Sequence, residues 1–597
     1  MSEVAAHKGG LRLWGRIPRS YRLPLGVYAV TQAILFVWWL AFYPGLTSYD
    51  SVAYVWQATT SNWMTNHSVL YTSLVWISLQ TSGGLGLLSF AQTVALAAGL
   101  AYAVTGLRAL GAPSRWLAVA AVVIAALPPL GTFIVFIWKD VAFVICQVYL
   151  LGTLARLVVA RRAPRPGKWY ADRRLVGLLV VLFVEYALLA LFRQNGFLVV
   201  LVAAVITALL LGGIRTILLA VGGAAIVLSF VMNLWVYPAL GATPAKSELL
   251  LNQSFADIAV AYHNRPGDFT AQDKAVMARV APLQFWSDSA NCYAADPTTN
   301  ARPWNRAAAN ANAGELFDLW IRLLKRMPDE IVDARFCRGS IAWKIDRGPD
   351  RWGTVLTPLE GSRNLHGFGS RMKGNPWASA IYLNPPIAAL HNAGAFLRKA
   401  SDADTLKPIM WRGATWSYIG YAALFVFARR RRERAVWVLG AVALSNQLVV
   451  LVNIPSQLVR YMLGPMYVGI LLVPLFAKGP ALAAAEPGEA VVADAKTEPP
   501  EAGIAAERAH PADVGPTPDR PRPTEPETTR SVETETAGEP ALFGPAPAAL
   551  PGTARPGSDD GGADGHDNGR AAGQDTGHGG RGGFAVDGTP QGGRPTD

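Results

Sequence analysis

Cysteine is nearly missing from this chain. There are three in 597 residues, Cys146, Cys292 and Cys337, with no zinc-binding spacing among them. A disulfide framework or zinc module is therefore excluded as the basis of the fold. Cys146 lies in an apolar run and reads as an inert core thiol. Charge is missing over long stretches up to about residue 477, in runs of roughly twenty residues that match a ~30 Å hydrocarbon core. Large apolar side chains are nearly missing from Lys478 onward, where Ala, Pro, Gly, Glu, Asp and Thr dominate. Such a segment buries too little surface to offset its ordering entropy, so 478–597 is expected to be a disordered acidic tail. No cleavable leader is expected either. The first apolar run is too long and too aromatic for one and reads as a retained signal anchor.

What is present is a membrane body. Hydrophobic residues make up 51% of the chain, and the net charge is +12. The tail holds ten Lys/Arg and twenty Asp/Glu, so it carries −10 and the body +22. Those basic residues flank apolar runs, where they set topology and meet anionic lipid. Nucleic acid is therefore not the expected partner; membrane lipid is.

The apolar runs are placed at about 24–43, 84–107, 116–137, 141–159, 175–192, 196–212, 216–236, 409–428, 435–452 and 461–477. Lys8, Arg12, Arg16, Arg19 and Arg22 put the N-terminus inside. The run 69–80 is too short to cross. Treating it as interfacial puts Arg161–Arg174 and Arg429–Arg434 inside, whereas counting it as a span puts both clusters outside. The expectation is an all-α polytopic membrane protein of about ten transmembrane helices with both termini cytoplasmic. Its parts are a basic N-terminus (1–23), a membrane domain (24–237) with an outer loop at 44–82, an extracytoplasmic domain (238–406), the last membrane helices (407–477) and the tail.

The 238–406 segment reads as mostly helical. Thr270 and Asp273 form a capping-box pattern for a helix to about Val280. Glu315–Met327 puts Leu316, Trp320, Leu323 and Leu324 on one face, with Pro328 ending or kinking it. A second run goes from Asp329 to Ile345, and 346–376 reads as loops. With that segment outside, Cys292 and Cys337 are able to pair.

The same parity collects Asp50, His67, Lys139, Asp140, Arg193, Asn195 and Arg460 at the outer face. Ionisable groups at a membrane boundary are functional candidates because burying them is costly. Each has a plainer reading too. Asp50 suits the first turn of a helix over 51–60. His67 fits as an interfacial histidine, Lys139 as a snorkelling anchor beside Asp140, Arg193 as a helix-end marker, and Arg460 as an anchor with Tyr461.

Five short motifs carry a resemblance: Tyr43-Pro-Gly…Tyr49-Asp50-Ser51, Asn66-His67, Trp138-Lys139-Asp140, Phe192-Arg193-Gln-Asn195-Gly196 and Arg460-Tyr461. In order and hydropathy, residues 24–477 resemble the GT-C superfamily of polyprenyl-phosphate-sugar-dependent membrane glycosyltransferases. That superfamily includes protein O-mannosyltransferases and lipid A aminoarabinose transferases, and the chain is most similar to a bacterial branch of it. The resemblance implies a bacterial plasma-membrane enzyme that moves a sugar from a polyprenyl-phosphate donor to a glycan, lipid or protein acceptor outside the cell. Many relatives have two adjacent acids in the first loop; here Ser51 follows Asp50. Asp50 is then the expected general base, since an acceptor hydroxyl needs its proton removed. Lys139, Arg193 and Arg460 are expected to meet the donor phosphate, with His67, Asn195 and Asp140 positioning. One base with in-line displacement predicts inversion. No cofactor is expected, and a required divalent cation finds no support, since Asp50 has no second acid beside it. Two other classes fit many apolar runs: a flippase for a lipid-linked saccharide, which favours internal repeats and midplane charges that are not seen here, and a non-catalytic scaffold.

Overall fold

The computed structural model describes residues 18–162, 170, 172–346, 356, 358 and 372–479, all within one compact unit, Met1–Val492. The expected acidic tail, the basic residues before Pro18 and most of the loop stretch 346–376 lie outside the described residues. Among the described residues there is no β-strand, only three isolated bridges between extended segments.

Seven helices among the described residues are long and apolar enough to cross a membrane: Ser20–Ala41, Gly86–Ala109, Lys139–Arg162, Arg173–Phe192, Arg215–Ala239, Arg434–Val452 and Val459–Phe476. The two most enclosed are Lys139–Arg162 and Val459–Phe476, and Gly86–Ala109 packs along the first of them. The remaining runs depart from full-length spans for physical reasons. The run expected at 116–137 breaks into Ser114–Ala126 and Pro128–Phe133. Leu127 is extended (ψ 124°) because the residue before a proline is pushed out of the helical region. Gly196–Leu210 has 15 residues, about 22 Å by helical rise. Gly413–Arg431 is long enough but opens on polar residues and ends on Arg429, Arg430 and Arg431. The run at 69–80, expected not to cross, is a 14-residue helix, Val69–Ser82, capped by the Ser68 side chain.

The 238–406 segment is helical among its described residues. It has its own apolar cluster around Phe255, Ile258, Trp286, Leu316, Leu319 and Leu323. The Thr270/Asp273 box forms with both bonds at 3.1 Å, and its helix runs Ala271–Ala278. The amphipathic helix is Ala313–Arg326, with Leu319 fully buried and Trp320 and Leu324 only partly so. The run after Pro328 is shorter than expected: it holds an α-helix only to Arg338, then tightens to a 3₁₀ turn, Gly339–Ala342.

Asp257 is fully buried there and accepts from Arg338 Nη1 at 2.6 Å, Trp320 Nε1 at 3.0 Å and the Arg335 guanidinium. Cys292 and Cys337 form a disulfide with Cα atoms 5.7 Å apart. A further helix, Ala388–Ala400, escaped the sequence reading. It lies against the first long helix, where His391 Nδ1 meets the Ala41 carbonyl at 2.9 Å.

Candidate functional site

Two segments distant in sequence are joined by a short backbone bridge. Leu46 N donates to Val135 O at 2.9 Å, and Ile137 N donates to Leu46 O at 2.9 Å. Gly45 makes the approach possible. Its φ is +143°, and a Cβ there would lie 2.9 Å from Val135 O. Beyond the bridge, each segment starts a helix: Tyr49–Thr60 on one side, Lys139–Arg162 on the other. Asp50 is therefore in one first turn, Lys139 and Asp140 in the other.

The helix start at Tyr49 is capped by serines. Ser48 N donates to Ser51 Oγ at 2.9 Å, and Ser51 Oγ donates to Ile137 O at 2.8 Å. Trp138 Nε1 donates to Ser48 Oγ. The plain reading of Asp50 as a first-turn carboxylate holds, while the capping hydrogen bonds themselves are made by Ser48 and Ser51. Ser51, where an adjacent acid was the alternative, is a tie between the two segments.

Asp50 turns to Arg460 instead. Arg460 Nη1 lies 2.6 Å from Asp50 Oδ2 and 3.8 Å from Asp140 Oδ2. Asp140 is buried and takes Arg193 on its other oxygen at 3.3 Å. The two guanidiniums are stacked on aromatics. Arg460 sits 4.9 Å from the Trp138 ring, and Arg193 lies 4.6 Å from Tyr461 and 5.2 Å from Phe143. The Asp50 side chain is 26% exposed and Asp140 only 2%, so Asp50 is the acid that faces open space.

Burial pushes the Asp50 carboxyl up. The Arg460 guanidinium, backed by His67 and Lys139, outweighs burial and holds it below the ordinary carboxylate range. Lys139 lies in electrostatic reach of both acids. Among the described residues its ammonium makes no hydrogen bond or ion pair. It is the cation of the cluster not already committed to an acid.

Comparison with protein-family models, curated proteins and solved structures finds no match to this chain. The site is therefore read from its own chemistry.

His67 stands edge-on to the Tyr54 ring at 5.1 Å, and Tyr54 meets Tyr71 at 5.3 Å. Tyr54 is fully buried, and its hydroxyl has no hydrogen-bond partner among the described residues. Burial, then the charges of Asp50 and Asp140, push its phenol well up, so it stays protonated. Asn195 is turned away from the acids: its Nδ2 donates to Asn453 O at 3.1 Å, tying the Arg193 turn to the chain that leads into Arg460. Asn446 holds that chain from below through Tyr461 O at 2.7 Å.

Two site residues, Tyr54 and Asp296, escaped the sequence reading. Tyr54 is one turn after Asp50 on the same helix, an i, i+4 relation visible in the sequence. Asp296, in the 238–406 segment, is bonded to Ser456 Oγ at 3.2 Å. Nothing in its local sequence points to Arg460. The arrangement can bind an anion through Lys139 and a released Arg460, and it can accept a proton or hydroxyl hydrogen bond at Asp50. Among the described residues no group of three His, Cys, Asp or Glu side chains is placed to hold a metal ion.

Proposed function

We propose that the chain is a GT-C-type membrane glycosyltransferase that moves a sugar from a polyprenyl-phosphate donor to an extracytoplasmic acceptor. The single observation that carries this reading is the shared cluster: Asp50, Asp140, Arg460 and Arg193 in one ion-paired chain, with Lys139 uncommitted beside it. The reading includes the ten-span topology, in which the shorter and more polar helices Ser114–Ala126, Gly196–Leu210 and Gly413–Arg431 cross with tilt or local thinning. It also puts both termini inside and the Asp50 end of the helices outside. No nucleotide sugar is normally available there, and this favours a lipid-linked donor.

The chemistry runs as follows. The donor phosphate enters beside Lys139 and draws Arg460 toward it. Asp50 then loses the cation that depressed its basicity. The acceptor hydroxyl gives its proton to Asp50 as its oxygen bonds to the anomeric carbon. The bond from that carbon to the phosphate oxygen breaks, and its electron pair stays on the polyprenyl phosphate, facing Arg460 and Lys139. The configuration inverts. Arg193, stacked on Tyr461 and paired with buried Asp140, takes a holding role in place of the phosphate contact expected for it.

The test uses the purified full chain in lipid nanodiscs, a radiolabelled polyprenyl-phosphate sugar and cell-envelope acceptors. The wild type is expected to transfer label, and Asp50→Asn to lose about 10²–10⁴ of the rate, the usual worth of a positioned base. Equal transfer by Asp50→Asn refutes the base. Passage of intact donor across the bilayer without bond cleavage points to a flippase.

A further inference from the structure

A third acid belongs to the cluster, and it comes from the 238–406 segment. Ala295 N donates to Pro455 O at 2.8 Å and Gln457 N to Tyr293 O at 3.0 Å, a bridge centred on Ala294 and Ser456. Ser456 Oγ then bonds Asp296 Oδ2 at 3.2 Å, four residues before Arg460, and Asn300 Nδ2 takes Asp296 Oδ1 at 2.6 Å. The clamp is reinforced from behind. Cys292, four residues before Asp296, is bonded to Cys337, and the Cys337 carbonyl accepts from Gln457 Nε2 at 2.8 Å. Asp296 lies within electrostatic reach of both Arg460 and Asp50, and its side chain is partly exposed.

We propose that Asp296 binds the acceptor, and that the acceptor is a polyhydroxylated glycan. This rests on the glycosyltransferase reading above. Two observations lead to it. A single-hydroxyl acceptor such as a threonine side chain needs one hydrogen-bond acceptor, and Asp50 supplies that. The cluster offers a second carboxylate, whose oxygens keep unused lone pairs after bonding Ser456 and Asn300. It also offers the Tyr54 hydroxyl, fully buried, without a hydrogen-bond partner among the described residues, and in electrostatic reach of Asp50. Neighbouring ring hydroxyls satisfy such a set.

The experiment compares two acceptor probes in the nanodisc assay, an octyl disaccharide and an N-acetylated threonine peptide amide, with the labelled polyprenyl-phosphate sugar pool as donor. Asp296→Asn is expected to raise KM for the disaccharide about ten- to hundredfold, the worth of one hydrogen bond to a charged group. Its kcat and donor KM stay within about threefold of wild type, since an acceptor contact acts on binding alone. Asp296→Glu recovers part of the loss. Ser456→Ala keeps the acid but frees it, and raises the same KM a few-fold; it carries the test if Asp296→Asn does not yield folded protein. An unchanged disaccharide KM, or a donor KM that rises equally, overturns the assignment of Asp296. Threonine-peptide transfer as efficient as disaccharide transfer overturns the glycan class. Absence of wild-type transfer to either probe overturns the glycosyltransferase reading itself.

Discussion

Replacing Arg460 by alanine sets two effects against each other, and their sizes decide the outcome. The guanidinium donates to Asp50 at 2.6 Å from a site where its own side chain is only 15% exposed. A hydrogen bond of this charge-assisted kind is worth about 1.5–3 kcal/mol. Its loss raises the proton affinity of Asp50 about ten- to hundredfold, at 1.36 kcal/mol per decade. A stronger base speeds proton removal, but only by part of that factor, because proton transfer is incomplete in the transition state. Against it stands the loss of a cation aimed at the departing phosphate, worth about 10²–10³. The second effect wins, and Arg460→Ala is expected to lose about ten- to hundredfold in kcat/KM at neutral pH. The pH profile separates the two. In the wild type the Asp50 carboxyl is held below the ordinary carboxylate range, so it stays ionised as pH falls through about 4. In Arg460→Ala burial is opposed only by His67 and Lys139, and the acid limb moves to higher pH. The assay is donor kcat/KM against pH at saturating acceptor, which removes groups acting on acceptor binding alone. A variant whose acid limb stays where the wild type's lies refutes the pairing of Arg460 with Asp50 in the working enzyme. So does a variant with undiminished neutral rate.

Four further outcomes follow from the geometry. Lys139→Met removes the uncommitted cation and is expected to raise donor KM about tenfold or more without altering acceptor KM, as read by initial rates. Gly45→Ala forces a Cβ to 2.9 Å from Val135 O at φ +143°, at a cost of about 1–3 kcal/mol, and should lower both thermal stability and transfer by displacing Asp50 from Arg460. Asp257→Ala leaves the Arg338 and Arg335 guanidiniums without their buried carboxylate and should destabilise the 238–406 segment by about 3–5 kcal/mol, seen as faster amide exchange there. Cys337→Ser opens a loop of 45 residues and is expected to loosen the same segment by about 2–4 kcal/mol. Non-reducing electrophoresis and thiol labelling check the bond, and acceptor KM should rise with it because Asp296 is clamped through Cys292.

Elements governed by local rules were legible in advance. Apolar runs of span length, the capping box at Thr270 and Asp273, and the amphipathic face around Leu316 and Leu323 all depend on neighbours within a few residues. The break at Leu127 was written in the sequence too, as Leu-Pro-Pro, but it was overridden by the length of the apolar run. Ala388–Ala400 went unread because it meets the chain around Ala41, some 350 positions away, through His391 on the Ala41 carbonyl and Gly394 against Phe42, while Phe396 and Leu397 stay exposed. The site divides the same way. Asp50, Lys139, Asp140, Arg193 and Arg460 were picked out because charge beside an apolar run is conspicuous. Tyr54 and Asp296 were not, because a tyrosine on a helix and an acid in a polar segment are ordinary.

By itself the sequence determined that this chain is helical, that much of it is apolar enough to enter a membrane, and which charged residues stand at the ends of its apolar runs. It did so because those properties are sums over adjacent residues. Only the tertiary structure decided that Asp50 meets Arg460 across a separation of 410 residues, that Arg193 is committed to Asp140 while Lys139 is not, and that Asp296 is tied to Ser456, four residues before Arg460. Those pairings rest on two backbone bridges, Leu46 with Phe136 and Ala294 with Ser456. Each uses main-chain groups that every residue carries, which is why no pattern of side chains announced them.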